Sequence, residues 1–397
     1  MTVLCSLSHI LLVKIFSFLQ ISDRKNILYV SSYVGKVASD PILWQNASIN
    51  KTKLVAEMDD FFSLKKFCLL ISFDMSGLRF HFQDQSVITK LIKYFQVNTN
   101  LKTVDFTNND LSKIPSFPLA SALSHCQTLG LAQTKLQTEQ INNLLGKCCA
   151  GKFTKNADFS FNDFTYVNAD LLARSIQSLD KINLSYTELT AVDTSRIMET
   201  VTNSKIQEID LSGNDLFLCK FDNLGLNQNL TVLKLSEVKL NPQNLNYIFP
   251  NLSLLPNLQE LVLNGTVLSE TEPVLLADAV AGISKVELNY CWLYCEHIEY
   301  IMAGITETTN IKQLNLSGNH FENVNRDLIL EAANHLDVLR VEWANMTEEQ
   351  FETLVSDTSD MKHKKLILNH YELIENHLDL HRIAKQNSNI VLNMVQG

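Results

Sequence analysis

The sequence predicts an α/β solenoid with a parallel sheet on one side and helices on the other. Two observations predict it. An eleven-residue phrase returns eleven times with the spacing L-x-x-L-x-L-x-x-N-x-L, most clearly as IQEIDLSGNDL at 206–216 and IKQLNLSGNHF at 311–321. Its ninth residue falls at Asn109, Thr134, Asn162, Thr187, Asn214, Val238, Thr266, Cys291, Asn319, Ala344 and Tyr371, in steps of 24 to 28. A unit of that length buries its apolar face only against a neighbour, so such a chain is a stack of units and a scaffold for contact, not a closed catalytic domain.

The L-x-L centre of each copy alternates with period two and reads as a short strand. Helical spacing follows it: residues 168–179 place Leu171, Leu172, Ile176 and Leu179 on one face. Thr347 to Gln350 form a capping box before Phe351, and Pro273 stands at a first helical position. The repeats occupy residues 77–397. Their first turn is irregular, with Phe80, Phe82 and Val87 fitting loosely, and Ile390-Val391-Leu392 reads as a closing strand. The ninth-place asparagine is polar where the chain turns inward, so it is expected to bond loop backbone groups otherwise buried unpaired.

Asparagine holds that place at 109, 162, 214 and 319, while Thr134, Thr187, Val238, Cys291 and Ala344 intervene, so the true unit is a pair of 52 or 53 residues. This resembles the ribonuclease-inhibitor type of leucine-rich repeat, which alternates two kinds of repeat with Asn and Cys at this place. The resemblance covers about four fifths of the chain and implies a leucine-rich-repeat horseshoe, sheet inside and helices outside. It says little about function.

Bulk properties narrow the function classes. Of 397 residues 46% are apolar, ample for a continuous core, and Lys+Arg 33 against Asp+Glu 43 gives a net charge of −10. That balance argues against nucleic acid or an anionic membrane as main partner. Cys5, Cys68, Cys126, Cys148, Cys149, Cys219, Cys291 and Cys295 are scattered without a framework, mostly in apolar places, which points to a reducing compartment, cytosol or nucleus. Sequons such as Asn183-Leu184-Ser185 and Asn315-Leu316-Ser317 arise because the repeat itself writes N-L-S. The segment VLCSLSHILLVKIFSFL lacks a basic start and a small-residue cleavage site and carries His9 and Lys14, so neither a signal peptide nor a membrane span is expected.

Ahead of the repeats, residues 5–48 read as a small helical module and 49–76 as a transitional segment. Leu11, Leu12, Ile15, Phe16 and Leu19 make a strongly apolar first helix, Asp23 a break, Ile27, Leu28, Val30 and Val34 a second helix, and Asp40-Pro41 a turn before Leu43 and Trp44. The run of Leu7, Ile15-Phe16-Ser17-Phe18-Leu19, Asp23, Val30-Ser31, Val37, Asp40-Pro41 and Leu43-Trp44 resembles an F-box. Ser8, Ile10 and Val34 stand where that family usually has Pro, an acid and Trp. The resemblance implies docking on a Skp-type adaptor, and through it on a cullin–RING ubiquitin ligase, by Leu7, Leu11, Leu12, Ile15, Phe16 and Leu19. A module this short cannot bury all six side chains within itself. The alternative is that it packs on the first repeat as an apolar cap, and one face can do each.

Residues between the two core positions of each strand point out of the sheet: Asp105, Asp158, Asn183, Asp210, Lys234, Val262, Glu287, Asn315 and Arg340. Asp105, Asp158 and Asp210 form an acidic row that would favour a basic partner patch. Just before the ninth place stand Phe161, Tyr186, Tyr290, Trp343 and His370, with Trp292 and Tyr294 nearby. Aromatic residues there suit interface anchors. Tyr186, Glu287, Tyr290, Arg340, Glu342 and Trp343 are therefore the expected contacts for a protein target on the concave face. Tyr290 and Trp343 are two repeats, about 10 Å, apart. The alternative is a solvated face with aromatics packed along loops.

Little points to bond chemistry. Cys291, Cys295 and His297 space as C-x3-C-x-H, but no fourth ligand is suggested and Cys291 already fills a ninth place. Cys148-Cys149 has no paired histidine, His125 and His335 read as surface or packing residues, and with only 12 glycines there is no phosphate-cradling loop. The sequence thus predicts no catalytic residue, metal or cofactor. The F-box resemblance implies a substrate-receptor subunit of a Skp–cullin–F-box type ubiquitin ligase. The alternatives are a leucine-rich-repeat binding or inhibitor scaffold unconnected with ubiquitin, and an enzyme with an unrecognised site. The compartment would be cytoplasm or nucleus, or a host's cytoplasm if the chain comes from an intracellular pathogen.

Overall fold

The computed structural model describes residues 7–19, 21–48, 69–79, 85–219, 221–305, 309–347, 350, 354, 365–369 and 390–392. The chain divides into two compact units, Met1–Thr187 and Glu188–Gly397.

The first unit opens with α1 (His9–Ser17), α2 (Ile21–Ile27) and α3 (Ser32–Ala38), a 3-10 turn at Pro41–Trp44, and strand β1 (Asn46–Ser48). Ser8 caps α1 by accepting from the Leu11 N–H, and Ser31 caps α3 by accepting from the Val34 N–H. Asp23 lies in the first turn of α2 and makes no break there. A carboxylate is favourable at a helix N-terminus, so the break falls earlier and Val34 passes to the third helix. Leu12, Phe16, Val34, Val37, Ala38, Leu43 and Trp44 form the module's own core, with Leu7 and Leu19 packed at its margin. The Trp44 indole donates to the Ala38 carbonyl at 2.8 Å. From α2, the Arg24 guanidinium donates to the carbonyls of Phe16, Ser17 and Leu43, so it satisfies groups at the end of α1 that have no partner within the helix.

The rest of this unit alternates strand and helix: β2 (Ser72–Asp74), α4 (Gln85–Val97), β3 (Thr103–Asp105), α5 (Ser116–Leu123), β4 (Thr128–Gly130), α6 (Thr138–Leu144) with a π turn at Leu145–Cys149, β5 (Asn156–Asp158), α7 (Ala169–Ser178) and β6 (Lys181–Asn183). The strands pair in parallel and in chain order. Their middle residues Phe73, Val104, Leu129, Ala157 and Ile182 are buried, as the alternation predicts. Pairing begins at Asn46, ahead of residue 77, because the Gln45 carbonyl takes the N–H groups of Ile71 and Ser72 at the module's edge. Val87 is a buried helical residue of α4 and belongs to no strand. Phe80 and Phe82 lie outside the described residues.

The second unit holds α8 (Ala191–Thr202), β7 (Glu208–Asp210), a 3-10 turn at Leu224–Leu226, β8 (Val232–Lys234), a 3-10 turn at Pro242–Asn244, α9 (Leu245–Ser253), β9 (Glu260–Val262), α10 (Pro273–Ala281), β10 (Lys285–Glu287), α11 (Cys295–Ala303), β11 (Gln313–Asn315), α12 (Arg326–His335), β12 (Val338–Glu342), β13 (Lys365–Asn369) and β14 (Ile390–Leu392). These strands are also parallel and in chain order. The copy from 214 to 238, the shortest step at 24 residues, has room only for the 3-10 turn at Leu224–Leu226. Pro273 opens α10, and Thr347 and Gln350 exchange the two bonds of a capping box. Phe351, His370 and Tyr371 lie outside the described residues. Both units have the leucine-rich-repeat fold.

The paired rhythm has a hydrogen-bonding cause. Asn162 Nδ2 donates to the carbonyls of Leu131 and Phe159, while its Oδ1 accepts from the N–H groups of Thr134 and Leu136 in the preceding copy. Asn319 repeats this with Leu288, Leu316, Cys291 and Leu293, and the Asn214 Oδ1 accepts from the Leu189 N–H at 2.9 Å. The clamped copies have two left-handed residues around the ninth place: Gln133 and Lys135, Tyr186 and Glu188, Tyr290 and Trp292. In the copies before Asn162 and Asn319 that bend aims two N–H groups, two residues apart, at one amide oxygen. Small residues must sit between, and Thr134, Thr187 and Cys291 do. The exception follows the same logic. Thr266 stands where asparagine is due, accepts only the Val238 N–H, and the copy before it has one left-handed residue, Glu237. Asn162→Ala would leave several buried backbone groups unpaired, at about 1–3 kcal/mol each. We expect the variant to lose at least about 3 kcal/mol in chemical denaturation of the full chain, whereas Thr266→Val should lose less.

Candidate functional site

The residue just before the ninth place is left-handed in every described copy from 77 to 343: Gly77, Asn108, Gln133, Phe161, Tyr186, Gly213, Glu237, Gly265, Tyr290, Gly318 and Trp343. Its N–H donates to the next copy, as from Tyr290 to the Ser317 carbonyl at 2.8 Å and from Gly318 to the Glu342 carbonyl at 2.7 Å. The backbone thus dictates the conformation while the side chain points away from the core. Glycine adopts it at no steric cost and an aromatic residue does so at a cost. The recurrence of Gly at 213, 265 and 318 is the signal in the sequence that marks this place.

Of the expected target contacts, the second unit brings five onto β10–β12 and the turns that follow. Glu287 ends β10, accepts from Asn315 Nδ2 at 2.8 Å and lies 3.7 Å from Lys285. Lys285 in turn meets Glu260 at 2.9 Å, and that bond raises its pKa. Arg340 Nη1 lies 3.8 Å from Glu342 within β12. These charged groups are engaged along the sheet, while Tyr290 and Trp343 stand out at 53% and 42% exposure. The Tyr290 ring covers Gly318, where an added Cβ would come within 2.3 Å of it. Trp292 and Tyr294 extend the aromatic surface at 56% and 50% exposure. His320, which the sequence reading passed over, stacks on Tyr294 at 5.3 Å and lies 6.3 Å from Trp292. Its signal is its place, level with Trp292 in the following copy. Tyr186 belongs to the first unit, where it stacks on Phe161 with centroids 4.8 Å apart.

The acidic row is not a set of free carboxylates. Asp105 accepts from the Thr107 N–H at 2.8 Å, Asp158 from the N–H and hydroxyl of Ser160, and Asp210 from the Ser212 N–H at 2.9 Å. Each closes the turn at its strand's end, as aspartate does two residues before a backbone donor. Asn183 and Asn315 make the same turn with Ser185 and Ser317, which gives the repeated N-L-S its structural reason. The Asp105 carboxylate also occupies the space where Gly130 has no side chain.

In the module, the six expected docking residues divide. Leu12 and Phe16 are buried in its core, Leu7 and Leu19 are half-buried, and Leu11 and Ile15 are exposed. Ile10 and Phe18 join the exposed pair, Phe18 at 82%. Leu11, Ile15 and Phe18 follow i, i+4, i+7 spacing and so share one face. At the module's other turn, Asp40 binds His9 at 2.9 Å and accepts from the Ile42 N–H, which holds its carboxyl below the ordinary carboxylate range.

Among the described residues, Cys126, Cys148, Cys149, Cys219 and Cys291 are buried packing residues. Burial pushes the thiols of Cys126, Cys149 and Cys291 up to about 12 and that of Cys219 up to about 11, and raises Cys148 well above the ordinary value. Cys291 donates to the Leu263 carbonyl and His297 Nε2 pairs with the Thr271 carbonyl, so the C-x3-C-x-H residues face different partners. Among the described residues no group of three His, Cys, Asp or Glu side chains could hold a metal ion, and no helix is long and apolar enough to cross a membrane.

No family model and no curated protein matches the chain. Solved structures do. An internalin, inlF, from Listeria monocytogenes str. 4b F2365 is 16% identical over 84% of this chain and 82% of its own, with a TM-score of 0.43. The leucine-rich-repeat domain of APL1B is 13% identical over 95% of this chain and 91% of its own, TM-score 0.39. The leucine-rich-repeat-containing protein LegL7 from Legionella pneumophila is 16% identical over 75% of this chain and 93% of its own, TM-score 0.41.

Two outcomes follow. Gly318→Ala forces a Cβ into the Tyr290 ring and should destabilise by about 1–3 kcal/mol. With Tyr290→Gly in the background, only the left-handed cost of about 1 kcal/mol should remain, and strict additivity in that double-mutant cycle would contradict the packing. Iodoacetamide at pH 7.5 should leave Cys126, Cys148, Cys149, Cys219 and Cys291 unlabelled in the native chain and label them after denaturation, read by peptide mass spectrometry.

Proposed function

We propose that the chain is a non-catalytic, protein-binding receptor: the leucine-rich repeats hold a protein target, and the amino-terminal module docks a Skp-type adaptor that links it to a cullin–RING ubiquitin ligase. The observation that carries the adaptor part is the module's division of labour. A helix bundle with its own buried core still leaves Leu11, Ile15 and Phe18 exposed along one face of its first helix. Exposed apolar stripes of that kind belong to partner surfaces. The F-box-like run from Leu7 to Trp44 names the partner class. The repeats supply the target surface, above all through the exposed rings of Tyr290 and Trp343. In this reading the chain accelerates transfer by proximity and performs no bond chemistry itself.

A second reading has its own observation. The module hands its Gln45 carbonyl and β1 to the first repeat, as a cap on the sheet's edge would. A capping module needs no adaptor, and the chain would then be a binding or inhibitor scaffold.

Point variants separate the two. Ile15→Asp with Phe18→Asp changes only exposed side chains, so the chain should fold as before and fail to retain purified Skp-type adaptor on a column. Phe16→Ala removes a core ring and is unsuitable as the test. Absence of adaptor binding by the unaltered chain would sink the ubiquitin reading and leave the scaffold.

A further inference from the structure

The copy that opens at Asn214 lacks the helix its neighbours carry, and a cavity lies beside the turn that replaces it. After Asn109, Asn162 and Asn319 the helix starts seven residues beyond the ninth place, at Ser116, Ala169 and Arg326. After Asn214 the same place is Phe221, and both Phe221 and Asn223 are left-handed, with φ of 59° and 60°. A right-handed helix cannot run through two such residues. The chain instead makes the short turn at Leu224–Leu226, which packs between α8 and α9. The flank of α8 facing this turn borders a half-open cavity of about 550 Å3. That volume lies within the range of small-molecule sites, about 300–1,000 Å3.

Burial divides the lining. Met198, Cys219 and Phe221 are buried and apolar, and the Thr202 hydroxyl beside them donates to the Met198 carbonyl. Glu199 and Asp222 line the same cavity and are exposed. Neither carboxylate has a hydrogen bond or ion pair among the described residues, and the cations nearest in sequence are engaged: Arg196 and Lys205 have interactions of their own, and Lys239 pairs with Asp215 at 3.5 Å. Lys220 lies outside the described residues. The negative field reaches the buried side of the cavity. Burial raises the Cys219 thiol, and the carboxylates of Asp215 and Glu199 raise it further. A bare metal ion does not suit the place, since among the described residues no three His, Cys, Asp or Glu side chains converge. Apolar walls with two unpaired carboxylates suit an organic cation, whose body is shed from water while its charge stays at the mouth.

We propose that this cavity binds a small organic cation, its apolar body on Met198, Cys219 and Phe221 and its ammonium beside Glu199 and Asp222. The site involves neither the rings at 290 and 343 nor the amino-terminal module, so it stands or falls apart from target holding and adaptor docking.

The test uses the purified full chain and three probes that share a phenyl ring and differ in charge: phenethylammonium, phenethyl alcohol and hydrocinnamate. Saturation-transfer NMR titrations give the affinities. Phenethylammonium should bind saturably and about fivefold tighter than the alcohol, with hydrocinnamate weakest. Glu199→Gln with Asp222→Asn alters only exposed groups, so the chain should fold as before, and the preference for the cation over the alcohol should vanish. Leu218→Trp, at a half-exposed lining place, puts a ring in the mouth and should abolish binding of the cation. Equal binding of cation and alcohol by the unaltered chain, or tighter binding of hydrocinnamate as a dominant Lys220 would produce, overturns the assignment of a cation. Undiminished binding of phenethylammonium by both variants overturns the site, because the cation then sits elsewhere on an acidic chain. No saturable binding of any of the three probes overturns the proposal.

Discussion

The structure depends on one interaction: an asparagine amide in alternate copies, with Thr266 the exception, whose oxygen takes backbone N–H groups of the copy before and whose nitrogen, at Asn162 and Asn319, fills carbonyls of both. A short-strand parallel fold turns sharply out of every strand, and each turn brings polar backbone inward. Unpaired, those groups would cost more than the small apolar core of one copy could offset. The amide suits the task because it offers donors and acceptors at once in a compact plane. Its alternation follows from geometry. The clamped copy must bend through two left-handed residues, which leaves room only for a small ninth residue such as Thr134 or Cys291, so that copy cannot carry an asparagine clamp of its own.

What the clamp fixes on the inside determines what is free on the outside. The left-handed eighth place, and in clamped copies the tenth, hold their side chains away from the core. Elsewhere glycine, asparagine, glutamine, glutamate, lysine, phenylalanine or tyrosine fills them. Aromatic residues at 290, 292 and 343 present exposed area at a backbone cost, and their concentration in neighbouring copies is what the proposed target surface rests on. The polar and charged residues of the strands serve a more structural purpose, since Glu260, Lys285, Glu287 and Asn315 bond along and across the sheet and Asp105, Asp158 and Asp210 close their own turns.

The fold was legible because the apolar phrase and its spacing are set by the core, and the core alternates in the simplest way. The paired unit was legible too, from Asn109, Asn162, Asn214 and Asn319. The aromatic places at 290 and 343 could be picked out by their offset from the ninth residue. Less legible was anything that depended on which polar partner a side chain finds. An aspartate two residues before a serine reads equally as surface charge or as a turn-closing acceptor, and the serine that decides it was visible only in the repeated D-x-S and N-x-S. Asp23 looked like a helix break because carboxylates favour both turns and first helical turns. His320 was hidden because its role comes from the neighbouring copy. Phe16 and Phe18 look alike in sequence, yet one is core and the other surface, a difference set by a 200° rotation around a single short helix.

The most direct test of this account is hydrogen exchange at the clamped amides. The N–H groups of Leu136, Leu189 and Leu293 stand in irregular turns and point at asparagine oxygens at 2.9 to 3.1 Å. They should exchange as slowly as the amides of the neighbouring strands, and those of Leu136 and Leu293 should become fast when Asn162 and Asn319, respectively, are replaced by alanine. Exchange of these three amides in the unaltered chain at the rate of exposed turns would show that the asparagines do not hold the copies in pairs.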